Sequence, residues 1–236
     1  MPRTLFISDL HLDTARPAVI AALAAFLRNN SDCDALYILG DIFEVWVGDD
    51  DDAPLAKEIA DLFRAFTAAG PKLYLMQGNR DFLLGNDFCQ SVGARLLADP
   101  SVVDLYGTPT LLMHGDSLCT EDAEYMQFRQ MARSPQWNAE LMSKPLEERR
   151  AIAAHLRSVS KDASSNKAED IMDVTPSEVD RVMEEASVNR LIHGHTHRPA
   201  RHPVARGERI VMGDWDATGW YIEVSPNEIE LTEFSI

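Results

Sequence analysis

Five short groupings of acids, an amide and imidazoles punctuate the chain: Asp9-Leu10-His11, Gly40-Asp41, Gly78-Asn79-Arg80-Asp81, His114-Gly115-Asp116 and His193-Gly194-His195-Thr196-His197. Two histidines at i and i+2 turn to one side only in extended backbone, and Gly194 offers a bend that lets both imidazoles approach one ionic centre. Alone, such a doublet is as readily a solvated loop or a pair of satisfied core histidines. Gly-Asp and Gly-Asn are likewise ordinary turn pairs. The set carries more than its members. Oxygens of Asp and Asn mixed with imidazole nitrogens, without thiolate, suit ions such as Mn²⁺ or Fe²⁺ and are wrong for a structural zinc. At least six candidate ligands in one pocket fit two ions roughly 3.5 to 4 Å apart better than one, with one carboxylate bridging, and such pairs activate water and clamp phosphoryl oxygens. The chemistry expected is phosphoester or phosphoanhydride hydrolysis.

The elements that must position these groups read β-α-β-α-β. Thr4 to Ser8 is a short apolar strand, Pro17 opens a helix through Val19, Leu23 and Phe26, and Ala35 to Leu39 is a second strand. A helix from about Ala53 to Ala69 stops at Gly70-Pro71, and Lys72 to Gln77 is a third strand. Uninterrupted apolar strands alternating with helices imply a sheet buried on both faces with right-handed crossovers. Val102 to Tyr106 and Thr110 to Met113 read as a hairpin around Gly107-Thr108-Pro109. Residues from about Asp122 to Lys167 read as helix, restarted at Ser134-Pro135 and at Pro145. Thr175-Pro176-Ser177-Glu178 has the spacing of a capping box for the next helix, Arg190 to Ile192 leads into the histidine stretch, and the tail is β-rich. Every polar grouping therefore follows a strand, and ligands of open α/β sheets collect at strand carboxyl ends.

With 236 residues and 45% hydrophobic content the chain can bury a full core, as one large domain or a domain with an insertion. A net charge of −16 argues against general nucleic-acid binding and leaves divalent cations as plausible partners. Cys33, Cys89 and Cys119 match neither a disulfide framework nor a CxxC pattern, which implies a reducing compartment. No secretory leader or membrane-spanning run is apparent, so a protein neither exported nor membrane-spanning is expected.

As a set, Asp9-x-His11, Gly40-Asp41, Gly78-Asn79, His114 and Gly194-His195-x-His197 resemble the five motifs of the calcineurin-like metallophosphoesterases, in order. More narrowly, the stretches Ile7 to Leu12, Gly78 to Asp81, Met126 to Arg129, Ile171 to Val174 and His193 to Pro199 resemble the pyrophosphohydrolase branch that acts on a diacylated UDP-sugar in lipid A biosynthesis. The resemblance implies a four-layer αββα sandwich, with residues 1–121 and 168–236 as the core and 122–167 as a helical insertion forming a lid. It implies two Mn²⁺ ions, the first held by Asp9, His11, Asp41 and His197 and the second by Asp41, Asn79, His114 and His195, with Asp41 as the bridge. It assigns Asn79, Arg80 and His195 to catalysis, and Asn79, Arg80, Asp122, Ser160, Ser164, Lys167 and His195 to contacts with the substrate. The implied reaction is attack of metal-activated water on the α-phosphorus, giving UMP and the diacylated sugar 1-phosphate. The implied partners are that lipid-linked nucleotide sugar and the cytoplasmic face of the inner membrane, met peripherally, with no nucleic acid and no obligate protein partner.

Many relatives read Gly-Asn-His at the third motif; this chain has Arg80. Arginine cannot serve as a general acid, but it grips phosphate bidentately. Arg80 therefore fits a leaving group that departs without protonation, and a sugar 1-phosphate is one. The insertion carries eight basic residues (Arg129, Arg133, Lys144, Arg149, Arg150, Arg157, Lys161, Lys167) against four acidic ones between Gln127 and Lys167, so a positive lid over a diphosphate or against an anionic leaflet is expected. Phe82, Phe128, Met131, Trp137, Leu141, Ile152 and Leu156 are candidates for an acyl groove, although ordinary helix core explains the same spacing. Asp49 to Asp52 lacks EF-hand spacing and reads as a solvated loop. His155 reads as a residue of the insertion's face, and His193 and His202 as possible partners that orient ligands. The rival readings are an enzyme of the same family acting on another nucleotide or phosphoester, and a non-catalytic scaffold. The second predicts decayed ligands, and none has decayed.

Overall fold

The computed structural model describes residues 2–164 and 173–236, with side chains described for 2–158 and 173–236. Strand β1 (Thr4–Ile7), helix α1 (Pro17–Asn29), β2 (Ala35–Leu39), α2 (Pro54–Ala68) and β3 (Lys72–Met76) follow the sequence pattern to within a residue or so. Pro17 and Pro54 sit at the first turns of their helices, where the missing N–H costs no bond. A six-residue α3 (Asn86–Ser91) and a four-residue β4 (Ala94–Leu97), too short for a periodic signal, extend the parallel run. Next come β5 (Ser101–Leu105) and β6 (Thr108–Leu112). The segment expected as an insertion forms three helices, α4 (Ala123–Ala132), α5 (Pro135–Met142) and α6 (Leu146–Ser164). The chain closes with α7 (Pro176–Glu185), β7 (Arg190–His193), β8 (Ala200–Val204), β9 (Gly207–Val211), β10 (Thr218–Val224) and β11 (Ile229–Ser235).

Two sheets result, ordered β11-β10-β1-β2-β3-β4 and β5-β6-β7-β9-β8. The period-2 alternation of the strands explains why they stack. In β1, Leu5 and Ile7 pack with Leu23 and Phe63 of α1 and α2, while Phe6 between them joins Leu39, Met76, Leu112, Ile192 and Ile210 in the layer between the sheets. Leu111 and Leu191 face the other way, onto Val179 and Met183 of α7. Helix, sheet, sheet and helix thus enclose three apolar layers, the four-layer sandwich expected.

Two local expectations fail. The β5–β6 turn is Tyr106-Gly107, both at positive φ (53° and 90°), and Pro109 lies inside β6 opposite Asp104. Thr175 makes no capping hydrogen bond; its hydroxyl instead accepts one from Thr120 Oγ1 at 2.7 Å.

The charge expectations fail more instructively. Asp49 accepts from the backbone N–H groups of Gly85 (2.8 Å) and Phe88 (2.9 Å) at the start of α3. Asp50 pairs with Arg149, and Asp51 and Asp52 each take Arg150 at 2.6 Å. Arg157 pairs with Glu44, while Arg129 and Arg133 turn to Asp116. The acidic run is therefore no solvated loop but the seat of α6. Five of the eight basic side chains of the insertion are engaged by core carboxylates, so the expected free positive face is largely spent on docking. Sequence reading summed the charges of the insertion without its partners, which lie 98 residues or more away for α6. Exposed pairs of this kind contribute at most about 1 kcal/mol each. Arg149, only 3% exposed, and the fully buried Asp116 are the ones whose unpairing is costly.

Candidate metal centre

The five polar groupings meet at the carboxyl ends of β1, β2, β3, β6 and β7, and the backbone there is unusual. Among the described residues seven non-glycine positions have positive φ, and five of them are Asp9 (56°), His11 (46°), Asp41 (52°), His195 (66°) and His197 (54°). Such conformations cost of order 1–3 kcal/mol each and persist only where the surroundings impose them. Here Asp9 N–H donates to the Gly40 carbonyl (3.1 Å), His11 N–H to the Asp41 carbonyl (3.0 Å) and Trp215 N–H to the Asp9 carbonyl (3.1 Å). Gly194 has a different task from the one expected. The bend is made by the histidines themselves, and Gly194 is required because a Cβ there would stand 2.2 Å from Asp9 Oδ2 and 2.3 Å from Ser8 Oγ. That close approach lets His195 N–H reach both Asp9 oxygens, at 3.1 and 3.0 Å.

Two donor groups form around Asp41. In one, His197 Nε2 lies 3.4 Å from Asp9 Oδ1 and 3.3 Å from His11 Nε2, which stands 3.8 Å from Asp41 Oδ2. In the other, Asn79 Oδ1 is 2.9 Å from His114 Nε2 and 2.8 Å from His195 Nδ1, and His114 Nε2 lies 3.6 Å from Asp41 Oδ1. Asp41 thus offers one oxygen to each group. Asp9 also stands within reach of Asp41 and His114, so its position touches both.

The donor set fits divalent cations. His114 Nδ1–H donates to the Leu39 carbonyl at 2.9 Å, so its Nε2 lone pair points at Asn79 and Asp41 oxygens. That arrangement needs either a second proton or a cation at Nε2. Without an ion, burial opposes charging His114, yet Asp41, Asp116 and Asp9 outweigh it and raise its pKa to about 9. His195, half-buried, is pushed down to about 4 by desolvation and by the neighbouring His114 and stays neutral, the form in which imidazole binds metal. Burial would lift the Asp9 carboxyl, but His197, His114 and His11 hold it below the usual range.

Sequence reading missed the groups that hold these ligands. Asp81, fully buried, accepts from the backbone N–H groups of Gly78 (2.6 Å), Ile42 (2.7 Å) and Asp41 (3.2 Å), tying the second motif to the third. Burial and the neighbouring Asp41 push its pKa up to about 6. Asp116 accepts from Tyr125 Oη (2.7 Å) and Arg129 Nε (2.8 Å), and Arg133 donates to Gln77 Oε1 (3.0 Å) and the Gly78 carbonyl (3.1 Å). Helix α4 is thereby clamped to both loops of the second donor group, with Tyr125 stacked on His195 at 5.9 Å between centroids. The acids standing beside motif residues, in Asn79-Arg80-Asp81 and His114-Gly115-Asp116, were the available signal. Glu44 carried none.

Asn79 and Arg80 also help to line an apolar cavity of about 270 Å³ beneath the insertion, together with Phe82, Phe128, Leu141, Ile152 and Leu156 as expected, and Val45, Trp46 and Val47, which were not. Met131 is 44% exposed and Trp137 packs on Phe82 (5.6 Å), and neither lines this cavity. Asp122 lines it and accepts from Tyr125 N–H at 3.0 Å. The side chains of Ser160 and Ser164, and Lys167 altogether, lie outside the described residues. His193 donates from Nδ1 to the Gly194 carbonyl (2.8 Å) and receives Arg209 Nη1 at Nε2 (3.2 Å), which fixes the turn that carries His195. His155 is exposed on α6, and His202, half-buried in β8, makes no ring or hydrogen-bond contact with the centre among the described residues. All three cysteines are buried, and none is in a disulfide among the described residues.

The family model of calcineurin-like phosphoesterases matches residues 2–199. A UDP-2,3-diacylglucosamine hydrolase of Cellvibrio japonicus (strain Ueda107) is 54% identical over 238 residues, spanning 99% of each chain. One from Pseudomonas aeruginosa (strain UCBPP-PA14) is 50% identical over 228 residues, covering 94% of this chain and 95% of its own. Among solved structures, Vacuolar Protein Sorting 29 from Cryptosporidium parvum superposes with a TM-score of 0.52 at 13% identity, over 100% of this chain and 98% of that one. A novel archaeal phosphodiesterase superposes with a TM-score of 0.50 at 13% identity, over 99% of both. These distant likenesses bear on the fold alone.

Proposed function

The chain belongs to the calcineurin-like phosphoesterase family, and on that footing we propose that it hydrolyses the pyrophosphate bond of UDP-2,3-diacylglucosamine in lipid A biosynthesis. Water attacks the α-phosphorus and releases UMP and 2,3-diacylglucosamine 1-phosphate. The observation that carries this reading is the shared position of Asn79 and Arg80. They stand at the donor groups and also wall the apolar cavity, so a phosphoanhydride at the centre has a place for acyl chains beside it.

Two Mn²⁺ ions fit the donors, one on Asp9, His11, Asp41 and His197 and one on Asp41, Asn79, His114 and His195; when bound they activate water near neutral pH and offset charge on the phosphoryl oxygens. The chain's own groups do the rest. Arg80 grips the diphosphate and offsets the charge that grows on the departing sugar phosphate, to which it cannot donate a proton. Its own backbone N–H donates to Asp41 Oδ1 at 2.8 Å, which fixes the Arg80 backbone beside the bridging carboxylate. Tyr125, whose pKa is pushed far up by burial and by Asp116, stays a neutral phenol against the His195 ring. Asp122 at the cavity mouth contacts the sugar head, together with Ser160, Ser164 and Lys167.

A substrate with two acyl chains resides in a bilayer, and no described helix is long and apolar enough to cross one. The protein accordingly works peripherally at the cytoplasmic face of the inner membrane. Met131 and Met142, exposed on α4 and α5, are apolar contacts available there.

Turnover of the lipid nucleotide in ¹⁸O water with Mn²⁺ tests the reaction. Label in UMP is expected; label only in the sugar phosphate overturns attack at the α-phosphorus.

A further inference from the structure

A second cavity, of about 330 Å³, opens on the other side of Arg80. It is lined by His11 and His197 of the first donor group, by Asp13, Ala15 and Arg16, and by Glu44, whose carboxylate faces His11 and is paired with Arg157. It differs in kind from the first, with Ala15 its single apolar side chain. Arg80 lines both. A substrate whose diphosphate crosses at Arg80 must put its two unlike ends into two unlike cavities.

From this we infer that the polar cavity binds the uridine monophosphate half of the substrate, an inference that rests on the function proposed above. The Arg16 guanidinium is held flat: Nη1 donates to the Leu10 (3.3 Å) and His11 (3.1 Å) carbonyls, and Nη2 to the Trp215 carbonyl and to Asp216 Oδ1 (3.1 Å). With both terminal nitrogens committed, what it offers a ligand is its planar face, which stacks on aromatic bases such as uracil. Asp13 uses Oδ1 to hold Ala15 N–H at 2.8 Å, and its Oδ2 has no partner among the described residues. That oxygen is an acceptor for the ribose diol. The cavity's volume is that of a small-molecule site. It also orients the reaction. The phosphate joined to uridine lies beside Asp9, His11 and His197, and the phosphate joined to the acylated sugar lies beside Asn79, on the side of the apolar cavity.

Direct binding to the Mn²⁺-loaded full chain tests the assignment by equilibrium dialysis with labelled UMP, its 2′,3′-dideoxy analogue and 2,3-diacylglucosamine 1-phosphate. Wild type is expected to hold UMP about tenfold tighter than the dideoxy analogue, the scale of one hydrogen bond to a charged acceptor. Asp13→Ala closes most of that gap. Ala15→Trp, at an exposed position that tolerates bulk, weakens UMP tenfold or more and leaves the lipid product within twofold, which also shows that the variant is folded. Absence of UMP binding to wild type, or UMP and analogue binding in both variants within twofold of wild type, overturns the assignment. The two readings fail separately. A chain that turns over the lipid nucleotide while both variants bind UMP normally loses only the uridine cavity. A chain that binds UMP in the expected pattern and does not turn over the lipid nucleotide loses only the proposed reaction.

Discussion

Glu44 Oε2 stands 3.1 Å from His11 Nδ1, the ring nitrogen opposite the one that faces His197, and the other oxygen of Glu44 is taken by Arg157 of α6. The pair is within ionic reach rather than in hydrogen-bond alignment, and a small rotation of the ring converts one into the other. A carboxylate behind a ligating imidazole sets its tautomer and raises its basicity, and losing it typically costs 10–100-fold in metal affinity. Glu44→Ala is therefore expected to release one of two ions during dialysis that wild type survives with both. Retention of both ions at wild-type affinity would falsify the role.

The histidine doublet is divided between the donor groups. His197 faces His11 and Asp9, whereas His195 faces Asn79. His197→Ala is expected to deplete the first ion and His195→Ala the second, read as two different steps in a metal titration followed by calorimetry. Identical titration profiles for the two variants would sink the division.

Arg80 walls both cavities without being a candidate ligand. Removing one preorganised donor aimed at charge that develops in the transition state costs on the order of 10²–10³ in kcat. For Arg80→Ala that loss should appear with metal content unchanged at two ions per chain. Unchanged turnover would exclude its proposed part in the reaction.

Asp116 anchors Tyr125, Arg129 and Arg133 from a fully buried position. Truncation removes the nearest carboxylate from Tyr125 and Arg129, leaving Arg129 with Asp99 at 3.7 Å and Arg133 with Gln77 and the Gly78 carbonyl, and breaking a buried pair costs about 3–5 kcal/mol. Asp116→Ala should lower the urea midpoint accordingly, and a loss below about 1 kcal/mol would mean that α4 is held by something else.

His193 is buried, beside Arg209, and its pKa is pushed down to about 3. A depressed histidine contributes stability that is complete above its unfolded pKa of 6.5 and is lost as pH falls toward the folded value. The slope is about 1.4 kcal/mol per pH unit in that window. The ring should remain a neutral Nδ1–H tautomer from pH 8 down to pH 4 in ¹⁵N spectra, since Arg209 donates to Nε2. Titration near pH 6 would show that this network does not form.

Much of the centre was legible because the fold ties ligand positions to strand ends. The apolar runs of β1, β2, β3, β6 and β7 mark where strands stop, and sheet topology carries whatever follows them to one edge. Asp9, His11, Asp41, Asn79, His114, His195 and His197 could therefore be named from local pattern and residue chemistry. The same locality explains the successes at Pro17 and Pro135, since a proline opens a helix wherever the rest of the chain goes.

What the sequence by itself determined was the donor chemistry, the order of the strands that deliver it and the restarts of the insertion. The tertiary structure alone decided which charges cancel and how closely backbones approach. Arg149 and Asp50 lie 99 residues apart, and only packing makes them partners. Gly194 was legible as a glycine, but the reason for it is the Asp9 carboxylate pressed against its Cα, a contact between β1 and β7 that no local pattern encodes. Asp81, Asp116 and Glu44 escaped notice for the same reason. An ionic or hydrogen-bond partner is chosen by distance in space, and a charge cannot be read as free or engaged until the fold brings its neighbours to it.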